Sequence, residues 1–100
     1  MSVSDILAKA ADLIEPEGAW SGGCVHGRDC AATAIWQANG NFGDSRPTRP
    51  AQRFFAKQIG VNPSRVPSSI YCWNDDPSRT QSEVVAKLRE ASQVAKERGL

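Results

Sequence analysis

The stretch from Trp73 to Glu83, Trp-Asn-Asp-Asp-Pro-Ser-Arg-Thr-Gln-Ser-Glu, constrains the fold of this chain more than any other. It crowds turn-forming residues directly against a helix start. Thr80 and Glu83 stand at capping-box spacing, where each side chain satisfies a backbone N–H of the other residue. Behind them Val84, Leu88, Ala91 and Ala95 recur at helical spacing, with Val85 at the edge of the stripe. Glu83 and Lys87 are ordered for an i,i+4 ion pair, and Gly99 is placed to end the helix. A long amphipathic helix of this kind needs other apolar surface on which to lay its stripe.

The rest of the chain supplies that surface as helices. Val3, Ile6, Leu7, Ala10 and Ile14 form one stripe, so a first helix is expected over residues 3–14. Ser2 and Asp5 resemble a capping box at its start, and Pro16 stops it by disfavouring helical geometry at Glu15. A Gly-rich loop from Gly18 to Asp29 carries Trp20, Cys24 and His26. Asp29 is then placed to cap a second helix, residues 30–38, whose inner face is Cys30, Ala31, Ala34, Ile35 and Ala38. Asn39-Gly40 ends it.

A third helix is expected over residues 49–59, capped by Thr48 and terminated by Gly60. Its faces separate cleanly: Ala51, Phe54, Phe55 and Ile59 point one way, and Arg49, Arg53 and Lys57 the other. Pro63 and Pro67 argue against continuous helix beyond it, and residues 69–73 are read as coil. The expectation is an all-α domain spanning residues 1–100, a compact bundle of about four helices with irregular Gly- and Pro-rich loops. Net charge is +1, no apolar run is long enough to span a bilayer, and no secretory signal is evident, so a cytoplasmic protein without membrane attachment is expected.

Five groups of residues bear on function. Cys24, His26, Cys30 and Cys72 together make a legitimate zinc ligand set, but Cys-x-His-x-x-x-Cys lacks the short Cys-x-x-Cys knuckle, and Cys30 falls on an apolar face. Reduced, structural thiols are therefore expected, with no metal and no cofactor; a zinc- or thiol-dependent activity at Cys24, His26, Cys30 and Cys72 is the third functional reading. Cys24 and His26 could form a thiolate–imidazole pair, yet no third group orients the imidazole, so no catalytic residue is assigned. Asp75-Asp76 could bind a hard cation; the favoured reading is a turn in which Asn74 and Asp75 fold back on their own backbone, with Arg79 pairing with either aspartate.

The fourth group is basic. Between Ser45 and Asn74 stand Arg46, Arg49, Arg53, Lys57 and Arg65 and no acidic residue. The intervening loop of about ten residues far exceeds the tight turn of a helix-turn-helix, so nucleic acid is the secondary reading. The leading function is a non-enzymatic protein-binding or regulatory module whose partner-binding surface is Arg49, Arg53 and Lys57 with Trp36. The fifth group is the three tryptophans, Trp20, Trp36 and Trp73. Trp36 lies about 100° from the centre of the second helix's small face, which leaves it partly exposed and available as an anchor, although packing in the core or at its edge is the favoured reading for each tryptophan.

Three segments resemble one known family: Ala-Ala-Asp-Leu-Ile at residues 10–14, Cys30-Ala31, and above all Trp-Asn-Asp-x-Pro-x-Arg-Thr-x-x-Glu-Val at residues 73–84. The chain is similar there to small bacterial and bacteriophage proteins of unknown function, mostly of actinobacterial type. The resemblance implies a small all-helical domain of phage or mobile-element origin, and it brings no activity. Within it Trp73, Asn74, Asp75, Arg79, Thr80 and Glu83 read as a structural motif. Trp73 is expected to fill the core where the irregular chain meets the last helix, so that Trp73→Ala costs about 3–5 kcal/mol.

Overall fold

The computed structural model describes residues 1–22, 29–40 and 46–100. Among these, five α-helices run in the order α1 (Val3–Ile14), α2 (Ala31–Gln37), α3 (Arg49–Ile59), α4 (Ser68–Asn74) and α5 (Gln81–Glu97). Short 3-10 turns at Arg46–Thr48 and Pro63–Arg65 precede α3 and α4. The fold is helical as expected, with one helix more than the apolar pattern had indicated.

The framework is the antiparallel pair of the first and last helices. Ser4 near the start of α1 meets the end of α5, where its backbone N–H reaches the Leu100 carbonyl at 3.4 Å and Ser92 Oγ donates to the Ser4 carbonyl at 2.7 Å. At the other end Gln81 Nε2 donates to the carbonyls of Ile14 and Pro16 at 2.8 and 2.7 Å. The last carbonyls of a helix have no partner within it, so one side chain of α5 closes the C-terminus of α1. Between these ends Ala10, Ala11, Ala91 and Ala95 are fully buried, and their small side chains let the two backbones approach. Arg89 of α5 bridges Asp12 and Glu15 of α1 at 3.1 and 2.7 Å along the outer seam.

The stripe of α1 is as expected: Ile6, Leu7, Ala10 and Ile14 are buried, and Ser2 and Asp5 form the reciprocal capping box. Leu88, Val84 and Phe55 complete the core beneath it. Helix α3 likewise begins and ends where its pattern placed it, with Gly60 adopting the left-handed φ of +80° that a side chain would strain. Thr48 does not cap it. The chain already turns there, holding Thr48 in helical geometry, and a capping residue must be extended.

Two local expectations on α2 and α5 are also corrected. Helix α2 is capped by Cys30, whose Sγ accepts from the Thr33 N–H at 3.4 Å, and not by Asp29. The Asp29 backbone is held in a bridge to the Trp20 segment, and its carboxylate accepts from Gln37 at 3.3 Å. On α5 only half of the box forms: Thr80 Oγ1 accepts from the Glu83 N–H at 3.2 Å, while the Glu83 carboxylate turns to Arg79 at 3.1 Å. Lys87 accordingly pairs with Glu90, at 3.7 Å, and not with Glu83.

The largest correction is α4. Residues 68–74 form a helix where coil was expected. Pro67 stands immediately before its first turn, where a missing N–H costs nothing, so the proline begins the helix and does not forbid it. Only Ile70 and Asn74, one turn apart, are buried, which is too short a stripe to register as periodicity.

Candidate functional site

Around Asn74 the irregular chain becomes a built structure. Asn74 closes α4 and is fully buried. Its Oδ1 accepts from the Trp20 indole N–H at 2.7 Å and from the Ala31 backbone N–H at 3.0 Å. Its Nδ2 donates to the Ser21 carbonyl at 2.8 Å. One carboxamide thus fixes the end of α4, the Trp20 loop and the first turn of α2. The turn expected of Asn74 and Asp75 belongs to Asp76, whose Oδ1 accepts from the Ser78 N–H at 2.9 Å and the Ser78 hydroxyl at 2.8 Å. Those two bonds, the backbone one first, hold the Asp76 carboxyl below its ordinary pKa, with the nearby Arg79 charge adding to them against slight desolvation.

Arg79 pairs with neither aspartate. Its Nε donates to the Trp73 carbonyl at 3.0 Å, its Nη1 reaches Glu83, and its guanidinium lies over the Trp73 ring, 4.0 Å from the centroid. The other side of Trp73 meets Phe55 edge-on, with centroids 5.7 Å apart and planes at 88°. Trp73 is therefore a partly exposed plate between core and guanidinium, not a plug within the core. Through these contacts Trp73, Arg79, Thr80 and Glu83 meet where α4 leads into α5.

Of the four candidate zinc ligands, Cys30 and Cys72 are described. Cys30 is buried at the α2 cap, with its Sγ 3.1 Å from Thr33 Oγ1, whereas Cys72 is exposed on α4. Cys24 and His26 lie outside the described residues. Among the described residues no three His, Cys, Asp or Glu side chains stand together as a metal would require.

The basic side of α3 is a surface. Arg49, Arg53 and Lys57 are exposed, on the side opposite the buried Phe55. Arg53 and Lys57 share an open groove of about 400 Å³ with Pro63 and Ser64. Among the described residues, Arg49, Arg53, Lys57 and Arg65 have no carboxylate partner; Arg79, Lys87 and Arg89 are paired, whereas Lys96 and Arg98 at the end of α5 are not.

Trp36 is partly exposed, as its helical position indicated, but its neighbour is Gln52. With Ala32, Pro67 and Tyr71 these two line a cavity of about 220 Å³ where α2, α3 and α4 meet. Gln52 is only 3% exposed. The sequence carried a signal for it: Gln52, Phe55, Ala56 and Ile59 share one helical arc, so a polar residue interrupts an otherwise apolar face.

No helix is long and apolar enough among the described residues to cross a membrane. A family model described as a family of unknown function (DUF6197) matches residues 1–94, so the chain belongs to that family. No curated protein matches it, and no solved structure does.

Proposed function

We propose that this member of a family of unknown function is a non-enzymatic protein-binding module whose partner presents an acidic surface. The observation that supports this reading is the segregation of charge. Arg79, Lys87 and Arg89 are ion-paired within the chain. Among the described residues Arg49, Arg53, Lys57 and Arg65, in one stretch without acidic residues, have no carboxylate partner, and neither do Lys96 and Arg98 at the end of α5. Arg53 and Lys57 share a groove. Side chains held in this way lose nothing internal when an acidic partner docks, and complementary charge steers the encounter. The scaffold role of the Trp73–Glu83 motif leaves this face free of structural duty.

The triple variant Arg49→Glu/Arg53→Glu/Lys57→Glu tests the surface. Partners recovered by affinity purification from the native cell are expected to be lost in the variant, and their retention by the wild type is expected to weaken with salt. A variant that keeps every partner sinks the reading. Gel retardation at about 50 mM salt separates the alternative: DNA binding abolished by the same triple reversal would make the face a phosphate-binding one.

A further inference from the structure

The cavity between α2, α3 and α4 has a property the basic face lacks: its polar wall is unmet. Gln52 is almost wholly buried as a residue and lines the cavity, and its carboxamide, which reaches the cavity's solvent, has no hydrogen-bond partner among the described residues. The indole N–H of Trp36, on the same cavity, is also buried and unpartnered. Buried polar groups are nearly always paired, because an unmet one keeps its desolvation cost without return. One such group, the Trp36 N–H, beside a Gln52 carboxamide that makes no hydrogen bond among the described residues, marks a place not arranged for the chain's own stability.

The geometry points to this cavity as a binding site for a small, neutral, planar ring that carries an N–H donor beside a C=O acceptor. Size comes first. About 220 Å³ is several times the share of one water but below the usual range for drug-sized ligands, so a single ring fits. The walls come next. The Trp36 indole and the Tyr71 ring have flat apolar faces, which favour planar ligands by stacking, and Pro67 adds a further apolar wall. Among the described residues no ionisable acid or base other than the Tyr71 phenol lines the cavity, so these walls offer a charged ring no counter-charge. The polar wall decides the remaining chemistry. A carboxamide offers donor and acceptor side by side, and an amide-like edge answers both at once. An aromatic primary carboxamide and a pyrimidine both carry that edge.

The site stands independently of the protein-partner reading. Its ring could arrive free or as the base of a nucleotide. Arg49 is exposed three residues before Gln52 on α3, on the neighbouring part of the helix surface, where it could meet a phosphate.

The full chain is titrated with benzamide, uracil, uridine monophosphate and, as a ring without an amide edge, toluene. Amide-proton spectra follow the Trp36 indole and Gln52 carboxamide signals. Benzamide and uracil are expected to shift both signals and to bind about tenfold more tightly than toluene. Gln52→Met, close in volume, is expected to remove that preference while toluene binding and the melting temperature are kept. Uridine monophosphate binding more tightly than uracil, with the gain lost in Arg49→Ala, assigns the ring to a nucleotide; equal binding assigns it to a free ring. If neither amide ligand moves these signals in the wild type at about 10 mM, the site is refuted. Toluene binding as tightly as the amides would refute it too, as would an unchanged preference in Gln52→Met.

Discussion

Trp20 donates its indole N–H to the Asn74 carboxamide across 2.7 Å, joining residues 54 apart in the chain. The same oxygen accepts the first amide of α2, and the same nitrogen holds the Ser21 carbonyl. Removing the carboxamide takes the partner from two donors in a buried place and one bond from the Ser21 carbonyl. Asn74→Ala should therefore cost about 3 kcal/mol, read by urea denaturation. A loss under about 1 kcal/mol would mean that water replaces the carboxamide and that the junction does not depend on it.

Trp73 is expected to be less costly to remove than a fully buried tryptophan, because part of its ring faces outward beneath Arg79. Trp73→Ala should destabilise by about 2–3 kcal/mol, below the range for emptying a closed aromatic site. Arg79→Ala should cost about 1 kcal/mol, and a double-mutant cycle should return a coupling of about 0.5–1 kcal/mol for the stacked pair. Additive losses would show that the guanidinium contributes through Glu83 and the backbone carbonyl alone.

Gln81 offers a test by charge. Gln81→Ala removes the donor that closes α1, whereas Gln81→Glu sets a negative charge against carbonyls that already form the negative end of a helix dipole. At neutral pH the glutamate variant should melt below the alanine variant, and both below wild type. The gap between the two variants should narrow near about pH 3, where the new carboxyl is protonated. Equal melting of the two at neutral pH would show that the charge escapes to solvent.

Asp76 sets a pH dependence of known sign. The Ser78 N–H and hydroxyl favour its charged form, so its folded pKa lies below the ordinary 3.8. Its contribution to stability is then fully present above that value and fades as pH falls through the lower folded value. Ser78→Ala removes the hydroxyl and should raise the Asp76 pKa toward 3.8 in a carboxyl-carbon NMR titration. An unmoved titration would assign the whole effect to the backbone N–H.

Legibility in the sequence followed the range of the interactions. Helices α1 and α3 were placed to the residue, because stripe, proline and terminal glycine are all local. Helix α4 was missed because its burial rests on Ile70 and Asn74 alone, and Asn74 is held by residues on other elements. The cap of α2 was misassigned for a similar reason: Asp29 is the better capping residue in isolation, but pairing with the Ala19–Ser21 backbone fixes it elsewhere. The outward cations of α3 were readable from spacing. The cavity was not, since Trp36, Gln52 and Tyr71 meet only once three helices have packed, though a lone glutamine in an apolar arc pointed to it.

The clasp of Gln81 on the end of α1 has a kinetic corollary. The first and last helices are joined by a hydrogen bond spanning 67 residues, so neither finds its mate until nearly the whole polypeptide has been drawn together. Closing so long a loop costs a few kcal/mol of chain entropy before any burial rewards it. For an all-helical protein of its size this one should fold slowly, with its nucleus built from the most distant parts of the chain.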